Sequence, residues 1–520
     1  MSKMRNKNIF AFVKKEIDLM KFAGILSLIY LLVLHIPFFI YVFDHMDMGF
    51  WHQVYLTASL AVFIFAANFM VIYLLIYFLR KVGQFLVGLL VGTSAAAVYF
   101  SLTYNVIFDD GIMASVWNTQ VSEASGFFNV GMVVAILFCA VLPWILIAVQ
   151  RVRRGTLKRA ASVAGISVGV ILLVIAGNLK NTLWIGQHDT ELGGLVMPWS
   201  YIVNTVRAEQ NLNREEQPEI ILPDAQITDN EKAAFVLVIG ESARRANFSL
   251  YGYERQTNPL LGQQERLRCY LCDACDTYTM ACTKCILEYK PAKELYEILP
   301  NYLYRNGVDV YWRTSNWGNP PVRVAHYAKK ETLRETSTAA DKMFDGVLVD
   351  GLADVIASSD SSKVLVVLHT STSHGPKYTE KYPKEYEVFT PVSDKVEASA
   401  RSHEALINAY DNSIRYTDHL LNAVIEQLKT LDGWHTTMLY LSDHGESLGE
   451  NNVFMHGVPV NIAPREQIEI PFLLWTSDDW REVKPLEEAT QHHVFHTVLD
   501  YLSVDSPVYD PDMDLFEKRQ

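Results

Sequence analysis

The sequence predicts an α-helical domain of five membrane spans followed by an α/β domain on a mostly parallel sheet. Three observations predict it. Apolar runs of spanning length crowd the N-terminal part, basic residues collect in alternate loops, and past residue 235 short β-rich runs alternate with helical ones. The 520-residue chain is long enough for both parts. Half of it is hydrophobic, yet its formal charge is −13, so two different kinds of segment share the chain.

The apolar runs are Phe22–Phe43, Val54–Phe78, Phe85–Ile107, Asn129–Val149 and Ala160–Leu179. Each is near the ~20 residues that cross a bilayer as a helix. Lys3, Arg5, Lys7, Lys14, Lys15 and Lys21 precede the first run, Arg80 and Lys81 follow the second, and Arg151, Arg153, Arg154, Lys158 and Arg159 follow the fourth. The intervening loops carry Asp44 and Asp47, then Asp109, Asp110 and Glu123. The excess of Lys and Arg on one side places the N-terminus in the cytoplasm, and five spans then carry everything past about Asn181 outside. With no cleavable signal pattern, the first span is expected to act as the export signal.

Residues 181–230 read as a connector. Trp184, Trp199 and Tyr201 among polar neighbours suit a helix at the lipid headgroups, or an ordinary surface helix of the next domain, and the proline-marked stretch 213–235 suits a linker. The expected division is 1–180 for the spans, 181–230 for the connector and 231–520 for the α/β domain outside the membrane. In the last, "FVLVIG", "DVYW", "VLVVLHT", "TTMLYLSDHG" and "PFLLW" read as strands, and 292–305 and 403–429 as helices. In such a sheet, ligand-bearing loops gather at strand C-terminal ends.

Chemistry-bearing residues stand at those ends. Glu241 follows "FVLVIG", Asp443 and His444 follow "TTMLYLS", and His374 comes five residues after His369, which closes "VLVVLH". Carboxylate and imidazole together form a zinc donor set. One such residue alone would read as a surface acid or a turn. Three apolar strands ending this way read as one site.

"VLVIGESARRANFSLYGYERQTNPLL", "HTSTSHGPKYTEKYP", "NAYDNSIRYTDHLL" and "YLSDHGESLGENNVFMHGVPVNIAPREQIEIPFLLW" resemble the bacterial phosphoethanolamine transferases. These are inner-membrane enzymes whose periplasmic domain has the alkaline phosphatase and sulfatase fold. The resemblance implies zinc, one ion or two, held by Glu241, Thr279, Asp443 and His444. It implies Thr279 as the nucleophile that accepts phosphoethanolamine from phosphatidylethanolamine, with a lipopolysaccharide acceptor. Cys275, Thr277, Thr279 and Cys285 keep the family spacing, while Asp276 and Lys284 replace its usual glycine and proline; Thr277 and Thr283 stay open as alternatives. His374 and His456 match histidines that hold the phosphate group. His369, Glu446 and Glu450 read as supporting residues. Thr119 and Glu123 match a motif that helps bind ethanolamine, with Ser115 where the family has asparagine. An unassisted threonine is a poor nucleophile, so coordination to the metal is part of this expectation.

Five cysteines, Cys269, Cys272, Cys275, Cys282 and Cys285, fall within seventeen residues. Outside the cytoplasm they favour disulfides over a zinc knuckle. The family resemblance pairs Cys275 with Cys285, and Cys272 with Cys282 has the same spacing. Cys139 reads as packing.

A sulfatase would need a C-x-P-x-R site, which is missing. A glycerophosphate transferase or a lipid-headgroup phosphodiesterase of the same superfamily is the alternative. From another class, an inactive membrane-anchored binding protein would usually have lost a ligand or the nucleophile. Membrane lipids, a monomer and no nucleic-acid partner complete the expectation.

Overall fold

The computed structural model describes residues 16–46, 49–118, 130–215, 219–375, 377–393 and 400–517. By packing, the chain divides after residue 209 into two compact units.

In the first unit, helices Phe50–Leu79, Lys81–Tyr104, Val130–Val149 and Leu157–Gly177 are long and apolar enough to cross a membrane. Leu19–Leu34 and Ile36–Asp44 supply a fifth span if the pair counts as one, since they meet at a 50° bend. The continuous span expected over Phe22–Phe43 is thus broken. Pro37 lies in the first turn after the break and has no N–H to donate backwards. The turn before it widens into a π-helix, Tyr30–Leu34. His35 bridges the break, its Nδ1–H donating to the Tyr30 carbonyl at 2.7 Å.

Leu32, Phe43, Phe78 and Leu173 point outward and are exposed, as a hydrocarbon-facing surface requires. Past the fifth span come helices Thr182–Gln187, Asp189–Leu195 and Trp199–Glu215. Residues 196–201 pack among the spans. Met197 is fully buried there, Trp199 Nε1–H donates to Asn68 Oδ1 at 3.0 Å, and the Tyr201 hydroxyl meets that of Thr93 at 2.7 Å.

The second unit is built on eight strands: β1 Ala233–Gly240, β2 Leu267–Asp273, β3 Asp309–Thr314, β4 His326–Lys329, β5 Lys363–His369, β6 His435–Ser442, β7 Glu469–Thr476 and β8 Glu488–Thr490. They run in the order β8-β2-β7-β6-β1-β5-β3-β4. Every neighbouring pair is parallel except the two that involve β7. β1, β5 and β6 are buried along almost their whole length, which is why they read as continuous Val/Leu/Ile runs rather than alternating ones.

The five strands expected from sequence are β1, β3, β5, β6 and β7. β2, β4 and β8 lie towards the sheet edges; β2 carries Cys269 and Cys272, which had read as part of a disulfide loop. The helix expected over 292–305 starts only at Leu299, with Pro300 in its first turn. Before it, Tyr296 instead bridges to Ile220 of the chain entering this unit. Pro300 sits in the first turn, where its missing N–H is one the helix leaves unpaired anyway. The long helix expected over 403–429 is Ala400–Leu428. The entering chain is docked, not loose. Glu219 is buried and pairs with Arg323 at 2.8 Å, and Gln226–Ile227 pairs with Val504–Asp505.

Candidate active site

β1 and β6 are adjacent, parallel and in register, with Gly240 opposite Ser442. The next residue on each, Glu241 and Asp443, therefore leaves the sheet at the same level. Ser242 follows in the left-handed region (φ 55°), a conformation that non-glycine residues seldom hold without support. Its support is local: Ser242 N–H donates to Asp443 Oδ1 at 3.1 Å, and its hydroxyl donates to Glu241 Oε1 at 2.6 Å.

Thr279 enters from the other side, as the first residue of the helix Thr279–Leu287. Its hydroxyl oxygen lies 3.2 Å from Glu241 Oε2 and 3.3 Å from His444 Nε2. His444 Nε2 is 3.4 Å from both Glu241 Oε1 and Asp443 Oδ2. The four residues expected as metal ligands thus converge, all buried. The two threonines left open as alternatives stand elsewhere. Thr277 donates its hydroxyl to the Val458 carbonyl at 2.7 Å, and the Thr283 hydroxyl is buried with no hydrogen-bond partner among the described residues.

The cluster fits a divalent metal ion. His444 Nδ1 faces the Gly445 carbonyl at 2.8 Å, so Nδ1 carries the proton and Nε2 presents its lone pair. Burial lowers the His444 pKa to about 3, which keeps the ring neutral as a ligand must be. Burial and the charge on Glu241 push Asp443 well above the ordinary carboxylate range. Burial would raise Glu241 too, but the neighbouring His374 and His456 and the hydrogen bond from Ser242 outweigh it and hold Glu241 below the ordinary carboxylate range. Asp443 Oδ2 has no hydrogen-bond partner among the described residues. Two buried acids, an orphaned carboxylate oxygen and an imidazole lone pair aimed together are what a cation relieves. Oxygen and nitrogen donors of this kind suit zinc.

His374 and His456 border the same cluster. The His456 ring is centred 4.3 Å from His444 and 5.3 Å from His374. His456 also joins Glu241 and His444 in a second grouping able to hold a metal. His369 stands below, fully buried with neither ring nitrogen hydrogen-bonded among the described residues, and burial lowers its pKa to about 4. Glu450 pairs with Arg244 at 2.7 Å. Of the headgroup candidates, Ser115 lies on the helix Asp110–Asn118, with its side chain outside the described residues. Thr119 and Glu123 lie wholly outside them.

Asn316 escaped the sequence reading. It lies two residues past β3, and its side-chain N–H donates to Glu241 Oε2 at 2.6 Å and to the Thr370 carbonyl at 2.8 Å. The signal available was "SNWG" after "DVYWRT", a polar cluster closing an apolar run.

Cys275 and Cys285 form a disulfide that brackets the start of the Thr279 helix. Cys272 and Cys282 are both buried yet remain free thiols, as does Cys269, so the second expected bridge is absent. Cys272 belongs to β2, whose ladder to β7 and β8 fixes its position independently of Cys282. His492 Nε2 lies 3.3 Å from Cys285 Sγ, but the disulfide already occupies both sulfurs of that group.

Comparison with known proteins assigns the fold and the family. The family model described as Sulfatase matches residues 233–504, and the one described as Phosphoethanolamine transferase EptA/EptB matches residues 64–212. The chain is 34% identical over 516 residues to phosphoethanolamine transferase EptA of Helicobacter pylori, covering 96% of each protein. It is 30% identical over 518 residues to EptA of Escherichia coli K12, covering 93% of this chain and 94% of the relative. Among solved structures it matches the integral membrane lipooligosaccharide phosphoethanolamine transferase A of Neisseria meningitidis with a TM-score of 0.83 at 25% identity, over 96% of this chain and 99% of that one. The chain belongs to the phosphoethanolamine transferase family, with a second unit of the sulfatase fold.

Proposed function

We propose that this protein transfers phosphoethanolamine from phosphatidylethanolamine to a lipopolysaccharide acceptor, through a covalent intermediate on Thr279. The observation that carries the reading is the Thr279 hydroxyl at a helix N-terminus, within 3.3 Å of both Glu241 and His444. The acceptor class follows the name of the Neisseria meningitidis relative, a lipooligosaccharide phosphoethanolamine transferase.

Glu241, Thr279, Asp443 and His444 would hold zinc. When bound, the ion supplies Lewis-acid polarisation and a lowered pKa for a coordinated hydroxyl. In the first step Thr279 Oγ bonds to the donor phosphorus while the phosphorus–oxygen bond to diacylglycerol breaks, and diacylglycerol leaves with a proton. In the second, an acceptor hydroxyl or phosphate oxygen bonds to the phosphorus, the bond to Thr279 breaks, and the Thr279 oxygen regains a proton, the one the acceptor gives up or one from solvent. Charge on the transferring phosphoryl oxygens needs positive partners. His374 and His456 stand where they can supply hydrogen bonds, and the helix beginning at Thr279 turns its N-terminal end the same way.

Ser115, Thr119 and Glu123 are the proposed headgroup contacts, with the Glu123 carboxylate pairing the ethanolammonium. The charge of the loops supports a multi-pass inner-membrane protein with a cytoplasmic N-terminus and the 231–520 domain in the periplasm.

The test is intact-mass spectrometry of the full-length protein in lipid discs containing phosphatidylethanolamine, with zinc. The wild type should gain about 123 Da, one phosphoethanolamine less water, and Thr279→Ala should gain nothing. Diacylglycerol release without the adduct would overturn the covalent reading in favour of hydrolysis.

A further inference from the structure

The two histidines that border the metal cluster sit on loops far apart in sequence. His374 follows β5, while His456 closes the short hairpin Ser447–Leu448/Phe454–Met455 beyond β6. One side chain reaches both loops. Glu446 is fully buried, its Oε1 accepts the Tyr378 hydroxyl at 2.6 Å, and its Oε2 lies 2.7 Å from His456 Nδ1. Tyr378 is four residues past His374 on the same loop.

We propose that Glu446 is a positioning residue that ties these two loops together and, with Tyr378, dictates which nitrogen of His456 faces the transferring phosphoryl group. This rests on the function proposed above. A buried carboxylate is an acceptor, so His456 Nδ1 carries the proton that joins them. His374 is set the same way, with Nδ1 donating to the Gly375 carbonyl at 2.8 Å. In both rings Nδ1 is engaged, so a hydrogen bond to a phosphoryl oxygen comes from Nε2–H of a protonated ring, and the rings stand 5.3 Å apart, centre to centre. Two oxygens, two short hydrogen bonds and two loops leave one arrangement of that pair.

Two features of the backbone agree. A Cβ on Gly375 would lie 2.6 Å from the Tyr378 hydroxyl and 2.7 Å from Glu446 Oε1, so the clamp closes only over glycine. Met455, immediately before His456, has φ 70°, an unfavourable conformation for its side chain, and the Glu446–His456 bond helps hold that turn. The motifs "SHGPKY" and "SDHGES…FMHG" thereby acquire one physical purpose: each supplies a partner to a shared carboxylate.

The experiment compares full-length wild type, Glu446→Gln, Glu446→Ala and Tyr378→Phe in lipid discs. It measures the rate of Thr279 adduct formation across donor concentrations, bound zinc and melting temperature. The expected result is unchanged zinc and an unchanged KM, with kcat lowered about 100-fold in Glu446→Ala and several-fold in Tyr378→Phe, as misplacement of an orienting group does. Glu446→Gln should fall between these two, because its amide oxygen still accepts from Nδ1–H. In ¹⁵N-histidine spectra, a downfield Nδ1–H proton assigned by its loss in His456→Gln should also vanish in Glu446→Ala.

Zinc loss in Glu446→Gln, a KM effect with kcat intact, or wild-type rates would each overturn the proposal. If Glu446→Ala fails to fold, Tyr378→Phe, which removes one hydroxyl, decides by the same kinetic split. A wild type that forms no adduct defeats the proposed function itself; an adduct forming at the wild-type rate in Glu446→Gln and Tyr378→Phe defeats only this inference.

Discussion

Asn316 holds Glu241: its side-chain N–H stands 2.6 Å from Glu241 Oε2, across 75 residues of sequence. The same nitrogen donates to the Thr370 carbonyl, and Asn316 Oδ1 accepts from Trp317 N–H at 2.8 Å, so the amide cannot rotate away. It occupies one oxygen of a proposed metal ligand with a neutral donor. Hydrogen bonds of this kind orient a ligand and hold its lone pairs towards the ion.

Asn316→Ala should therefore bind zinc about 10–100-fold more weakly while keeping its fold. Competition against a chromophoric chelator measures this directly. An unaltered zinc affinity would mean that Ser242 and the backbone suffice to place Glu241.

Removing the metal should lower stability as well as activity. Without a cation, Glu241 and Asp443 are left as a buried acid pair with an orphaned oxygen. Protein stripped with a chelator should melt at a lower temperature than the same protein with zinc restored, and the gap should widen with free zinc as mass action requires. Equal melting temperatures would argue against a metal at this cluster.

The Cys275–Cys285 disulfide closes a ten-residue separation around Thr279. Its loss should cost about 2–3 kcal/mol, the usual scale for a loop of this length. Cys275→Ser and Cys285→Ser should melt several degrees lower, and each should also form the Thr279 adduct more slowly. Thiol counting on the denatured wild type should find four free cysteines, Cys139, Cys269, Cys272 and Cys282.

Asp514 offers a pH signature away from the site. Burial, then the charge on Asp500, raise its pKa to about 7 from 3.8. Between these values the unfolded chain has released a proton that the folded chain still holds, so this group makes stability fall as pH rises from about 4 to 7. At the upper end the penalty is on the order of 4 kcal/mol. Asp514→Asn should abolish it, and the stability difference between variant and wild type should grow with pH and level off above 7. His369 runs the other way, because its folded pKa of about 4 lies below the ordinary histidine value and favours the folded state as pH rises towards 6.5. The comparison of variant with wild type, rather than the shape of either curve, isolates Asp514.

Much of this molecule was legible in order along the chain. Span length, loop charge, the buried Val/Leu runs of β1, β5 and β6, and the Asp443–His444 pair are properties of neighbouring residues, so the sequence alone determined them. The bend at His35 was not read from the sequence, although Pro37 stands in the first turn after it. The tertiary structure decided whatever depends on residues meeting across the sheet. The register of Gly240 with Ser442 brings Glu241 to Asp443. That the hydroxyl of Thr279, and not that of Thr277 or Thr283, lies beside Glu241 depends on where each points once the helix is docked. Cys272 stays unbridged because the β2 ladder places it, and Asn316 and Tyr378 find Glu241 and Glu446 only in the folded chain. Local patterning carries information over a few residues; these contacts close loops of tens to hundreds, and packing alone selects their ends.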